Sequence, residues 1–171
     1  MEPTKDELFL HPIGVLVGYL KKKHRHFIRQ ALPFLTSMVE GIAMEAKQKS
    51  LITDLRLMFP LFVDDFIHHI HEEEDTLFER IAYLHEIENG AIPLVEHDAH
   101  DDEMEGIRKL TNDYEISGTA SLSMRVLFLE LQKLEKELMI HAKIENDLLF
   151  PKAVELEREV LRKLRLQIKN N

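Results

Sequence analysis

The chain contains no cysteine, which excludes disulfides, thiolate zinc sites, thiolate-held iron–sulfur clusters and thiol catalysis. Tryptophan is absent too, and glycine and proline number only six each in 171 residues. With 44% hydrophobic and 31% charged residues, this is the composition of a folded globular chain rather than a disordered one. No run of about 18 apolar residues exists to span a bilayer. The first residues, Met-Glu-Pro-Thr-Lys-Asp-Glu-Leu, lack the basic and apolar character of a signal sequence, so the expected location is the cytoplasm. Positive charge is also short: 22 basic residues face 31 acidic ones, a formal net charge of −9. That balance gives no electrostatic reason to expect a nucleic acid or an anionic membrane as partner.

Histidine is what the chain has in excess. Ten are dispersed internally, and two fall in near copies of one motif, His69-x-x-x-Glu73-x-x-x-Leu77-Phe78 and His141-x-x-x-Glu145-x-x-x-Leu149-Phe150. On an α-helix residues four apart share a face. Each copy therefore presents an imidazole beside a carboxylate.

Apolar periodicity predicts four helices and no strands. The first starts at Pro12 and runs to about residue 47, with a stripe at Ile13, Leu16, Leu20, Phe27, Ala31 and Phe34 and a slot filled by His24; Pro33 should kink it. The second starts near Ser50 to Thr53, either of which could cap it. Its stripe is Leu55, Phe59, Phe62, Phe66, His69, Glu73, Leu77 and Ile81, with Pro60 expected to bend it or interrupt one turn. After Asn89-Gly90 a third helix runs from Pro93 to near Tyr114, facing inward at His97, Met104, Ile107, Thr111 and Tyr114. Thr119 or Ser121 caps the fourth, whose stripe is Leu127, Leu131, Leu134, Leu138, His141, Glu145 and Leu148. The expected architecture is one all-α domain, an antiparallel up-and-down four-helix bundle, with its core in about 11–155. A charged helical extension, 156–171, is expected to project past the core or fray.

At about 1.5 Å per residue, His24, His69, His97 and His141 all fall roughly 27 to 35 Å from one end of such a bundle. One level of the core then holds His24, His69, Glu73, His97, His141 and Glu145. Burying these groups without compensation costs several kcal/mol per charge, and a metal centre supplies the compensation. Two carboxylates able to bridge, with two imidazoles per ion, make a sensible dinuclear site. A set of imidazole and carboxylate donors without sulfur suits iron or manganese, and also accepts zinc. Oxo, hydroxo or solvent ligands would complete the sphere and leave room for a small molecule. His26 is the alternative to His24. His100 and Asp101, near His97, could orient or supplement that ligand. His11, His68, His71 and His85 are assigned to the surface or to outer positions.

With these motifs in this order, the sequence resembles the hemerythrin-like, or HHE cation-binding, family. Glu96-His97-Asp98 followed by Leu110-Thr111-Asn112-Asp113-Tyr114, with His-x-x-x-Glu before Leu-Phe in helices two and four, is most similar to the di-iron domain of iron–sulfur cluster repair proteins. The resemblance implies two non-haem iron ions held by His24, His69, Glu73, His97, His141 and Glu145. It implies dioxygen, nitric oxide or peroxide as small-molecule partners, iron–sulfur proteins as macromolecular ones, and a role in cluster repair or in nitrosative and oxidative stress. The alternative is a module that senses or stores oxygen or nitric oxide without turnover. Oxygen-carrying members place an Asp five residues after the last His and a His-x-x-x-His pair on the third helix. Here Glu145 follows His141 at four and Asp101 follows His97 at four, which argues against simple oxygen transport. A ferritin-like oxidase would require Glu-x-x-His pairs, which the chain lacks.

Overall fold

The computed structural model describes residues 11–43, 48–86, 104–116, 118 and 120–169. Four helices and no strand occur among the described residues, giving the expected all-α, four-helix chain. Helix α1 spans 13–41, α2 spans 49–86, α3 is Glu105–Leu110 and α4 spans 122–169. Three of the four change from α to π hydrogen bonding for five residues. The π turns are Phe27–Ala31 in α1, Glu74–Phe78 in α2 and Glu145–Leu149 in α4.

Sequence periodicity accounts for most of these elements. Every stripe residue expected in α2 and α4 is buried, and so are Met104, Ile107, Thr111 and Tyr114. Ser121 caps α4 by accepting the Met124 N–H at 3.3 Å, as a serine at that position should.

In α1 the expected stripe fails after Phe27. Phe34 is 52% exposed and Ala31 half-buried, while Leu32, Leu35 and Val39 are buried at 1–2% exposure. The π turn is the cause. It holds one additional residue, about 100° of rotation, so every later position moves on by one. The helix also ends earlier than expected, at Gly41, where Ile42 turns to extended backbone at ψ 135°. Arg56 from α2 closes that end, its guanidinium donating to the carbonyls of Val39, Glu40 and Ile42 at 3.2, 2.6 and 2.8 Å. Neither Ser50 nor Thr53 caps α2, which starts at Lys49; Thr53 donates its hydroxyl back to the Lys49 carbonyl at 2.8 Å. Pro60 lies inside an uninterrupted α-helical stretch, Lys49–Glu73.

Helix α3 stops at Leu110 and is followed by a left-handed turn. Asn112, Asp113 and Tyr114 have φ of 50°, 55° and 59°. Thr111 anchors the turn: its hydroxyl donates to the Ile107 carbonyl at 2.9 Å and accepts the Tyr114 N–H at 3.2 Å. Asn89, Gly90, Pro93 and Thr119 lie outside the described residues.

By contacts the chain divides into two units, residues 1–22, 70–99 and 141–171 in one, and 23–69 and 100–140 in the other. The first has a core of Ile13, Leu16, Leu20, Leu77, Phe78, Ile81, Ile144, Leu148, Leu149 and Ala153. Toward the chain's far end α4 is helical to Lys169 with Val160 buried, and Arg80 pairs with Glu157 at 3.1 Å, both side chains 15% exposed. In the second, Phe27 meets Phe66 edge-on at 5.5 Å, and Phe66 stacks on Phe62 at 5.9 Å. Buried Glu135 is held there by Arg108.

Candidate metal centre

His141 and Glu145 sit one turn apart in α4, at 4% and 3% exposure, with Nδ1 of the imidazole 3.0 Å from Oε1 of the carboxyl. The stripe that begins at Leu127 carries both inward. Glu73, buried at 2%, comes from α2 and reaches the same group as Glu145. Burial pushes the Glu145 carboxyl up from its ordinary 4.5 to about 8, although the neighbouring Glu73 side chain pulls the other way. Desolvation outweighs the partner because a carboxylate taken almost wholly out of water loses more than one neighbouring polar group returns. Burial thus favours the protonated form of Glu145 near neutral pH.

His24, fully buried in α1, completes a group of four. His24, Glu73, His141 and Glu145 each offer a donor atom, and the four atoms lie within 4.8 Å of one another. Two imidazoles and two carboxylates without sulfur are a donor set for a hard or borderline cation such as iron, manganese or zinc. These residues fit such an ion.

The other expected ligands fall in three places. His69 is buried at 9% exposure with its ring against Phe66, centroids 6.3 Å apart, and is outside the convergent four. His26, the alternative to His24, is half-buried on another face of α1. There its Nδ1 meets Gln30 at 3.1 Å and its Nε2 lies 3.7 Å from Glu137, beside a surface pocket of about 320 Å³ that also involves Phe34 and Lys133. Glu96, His97, His100 and Asp101 lie outside the described residues. His11, His68 and His71 are exposed.

Sequence reasoning missed the three π turns and the pairing of half-buried Arg108 with buried Glu135. The first had a signal. An apolar step of five from Phe27 to Leu32 is out of phase for an α-helix, and a proline follows Leu32 and Phe150 alike. The pair had none, because charged residues on a helix read as a solvated face until a partner helix is placed.

A four-helix chain with a buried His/Glu cluster belongs to the class of helical metal-binding proteins. The family is defined further: residues 15–153 match the Hemerythrin HHE cation binding domain, and the chain belongs to that family. It is similar to the Iron-sulfur cluster repair protein YtfE of Musicola paradisiaca (strain Ech703), 30% identical over 157 residues, covering 89% of this chain and 70% of that protein. The protein of the same name from Dickeya chrysanthemi (strain Ech1591) is 29% identical over 147 residues, covering 83% and 66%. That from Yersinia pseudotuberculosis is 25% identical over 147 residues, covering 84% and 66%. The chain thus spans about two thirds of the length of these relatives. No helix among the described residues is long and apolar enough to cross a membrane.

Proposed function

We propose that the chain holds two iron ions and acts in repair of iron–sulfur clusters damaged by nitric oxide or oxidants. The observation that carries this is the buried group His24, Glu73, His141 and Glu145, in a chain similar to proteins named for cluster repair. His69 and His97 would supply the remaining ligands, with Glu73 and Glu145 as carboxylates able to bridge; Glu96, His100 and Asp101 would orient or supplement His97. Iron supplies Lewis acidity and one-electron chemistry when bound.

The protein's residues do the rest. Glu145, held protonated by burial, releases its proton as a cation enters, since ligation requires the deprotonated carboxylate. Nδ1 of His141, 3.0 Å from Glu145, holds that carboxylate's direction. Leu77, Ile144, Leu148 and Leu149, close in sequence to these carboxylates, are buried in one apolar cluster, and a dry surrounding strengthens charge interactions. Dioxygen, nitric oxide and peroxide are small enough for such a site.

The test is anaerobic loading with ferrous iron, metal analysis, and incubation with a hydro-lyase whose cluster has been damaged by nitric oxide. About two iron ions per chain are expected, with recovered hydro-lyase activity above both metal-free protein and free ferrous iron. Iron uptake without recovery would leave an oxygen- or nitric-oxide-binding module instead, and no uptake would remove the metal reading altogether.

A further inference from the structure

The π turns of α1 and α4 are built alike. In α1 the Leu32 N–H donates to the Phe27 carbonyl, and in α4 the Phe150 N–H donates to the Glu145 carbonyl, each five residues back. The closing residue is followed at once by proline, Pro33 and Pro151. Proline brings no N–H, and its ring presses on the carbonyl four residues back, here those of Arg29 and Asp147. A wider turn moves that carbonyl aside.

Proline alone does not impose the turn. Pro60 sits in regular α-helix, and the π turn of α2, Glu74–Phe78, has no proline behind it. What the three turns share is a member of the donor group at or just before them. His24 precedes Phe27 by three residues, Glu73 directly precedes Glu74, and Glu145 opens the third. The helix interior around Pro60, remote in sequence from any donor, stays α. Isolated π turns are less favourable than α-helix and concentrate at functional sites.

We propose that the π turn opening at Glu145, with Pro151 behind it, is a positioning element for metal ligation. The turn opens at Glu145 itself, so it leaves the α-helical His141–Glu145 spacing as it is and sets the approach of the Glu145 carboxylate to Glu73, at the expense of helix stability. This rests on the reading that the His/Glu group binds metal.

Deleting Asp147 tests it, because removing the turn's additional residue yields a regular helix with later residues still in phase. The metal-free deletion variant should melt at or above the parent. Its iron affinity, measured by competition with a chromophoric chelator, should fall at least about tenfold, and the visible absorption of the loaded form should shift. A parent that loads iron and a folded variant that matches it in affinity and spectrum would overturn the proposal alone; a parent that takes up no iron would overturn the metal reading beneath it. Should the variant not fold, hydrogen exchange on the parent decides. Zinc loading should slow exchange in 145–151 more than in 122–138, and equal slowing in both would overturn the proposal.

Discussion

Nδ1 of His141 and Oε1 of Glu145 stand 3.0 Å apart in a site where both side chains are 4% exposed. The pair is worth little as a solvent-type ion pair. Its weight lies in what either partner does alone: removing one leaves a buried polar group uncompensated. Glu145→Gln keeps the shape and hydrogen-bonding capacity of the side chain and removes only its ability to become an anion. Metal-free Glu145→Gln should therefore melt within a few degrees of the parent near neutral pH, yet take up less than half the iron. Glu73→Ala and His141→Ala should lose iron as well. Full occupancy in these variants by metal analysis would contradict the donor assignment.

The raised Glu145 carboxyl fixes the sign of a pH dependence. Its value is about 8 in the folded chain against an ordinary 4.5, so between those limits the folded state holds a proton that the unfolded chain releases. Stability from this group is fully present below about pH 4.5 and is lost as pH rises through about 8. Urea midpoints of the metal-free protein should accordingly fall from about pH 5 to about pH 8.5, and Glu145→Gln should flatten that trend. A midpoint that rises across the window in the parent and not in the variant would reverse the assignment.

Metal occupancy should act on stability in the same direction as affinity. A cation that binds the folded chain and not the unfolded one stabilises it by mass action, about 2.7 kcal/mol at a hundredfold excess over Kd. Thermal melting of loaded protein should therefore exceed that of metal-free protein by several degrees and depend on free metal concentration. Coincident melting curves would exclude a site that assembles only in the folded chain.

The two ligand-bearing helices with the repeated motif were the legible part of this sequence. In α4 the steps from Leu127 to Glu145 alternate between four and three, which keeps one face for five turns, and all of those positions are buried. In α1 the same rule works through Phe27 and then misplaces Phe34, which is 52% exposed. Periodicity assumes 3.6 residues per turn, and a π turn breaks the assumption without changing composition. His24 survives because it precedes the break. The left-handed end of α3 was illegible for another reason: its three positive-φ residues include no glycine, the residue that signals such backbone, and the contacts around them, Thr111 with the Tyr114 N–H and Tyr114 against Phe128 at 6.5 Å between ring centroids, appear only once the chain is folded.

Arg56 offers a test of how α1 is ended. Its guanidinium donates to three carbonyls, those of Val39, Glu40 and Ile42, the acceptors that a helix C-terminus leaves unsatisfied. Arg56→Ala should cost about 2 kcal/mol, read as a lower urea midpoint. Lysine at the same position cannot span three acceptors with a fork of donors, so Arg56→Lys should recover less than half the loss. Iron uptake should be unchanged in both, since Arg56 touches no member of the donor group. Full recovery by lysine would mean that charge near the helix end, rather than the three hydrogen bonds, does the stabilising.

The left-handed turn makes the opposite prediction, a gain. Asp113 has φ of 55° and a side chain 87% exposed, and its ion pair with Arg108 at 3.9 Å is exposed on its own side and worth little. A side chain in this backbone region costs about 1 to 2 kcal/mol that glycine does not incur. Glycine also widens the unfolded ensemble, which returns part of that gain. Asp113→Gly should therefore stabilise the protein by about 0.5 to 1 kcal/mol, whereas Tyr114→Gly, at the neighbouring φ of 59°, should destabilise it by several kcal/mol because a buried aromatic is lost. The contrast separates backbone strain from packing within two adjacent residues, and a loss of stability in Asp113→Gly would show that the exposed carboxylate, and not the backbone, governs that position.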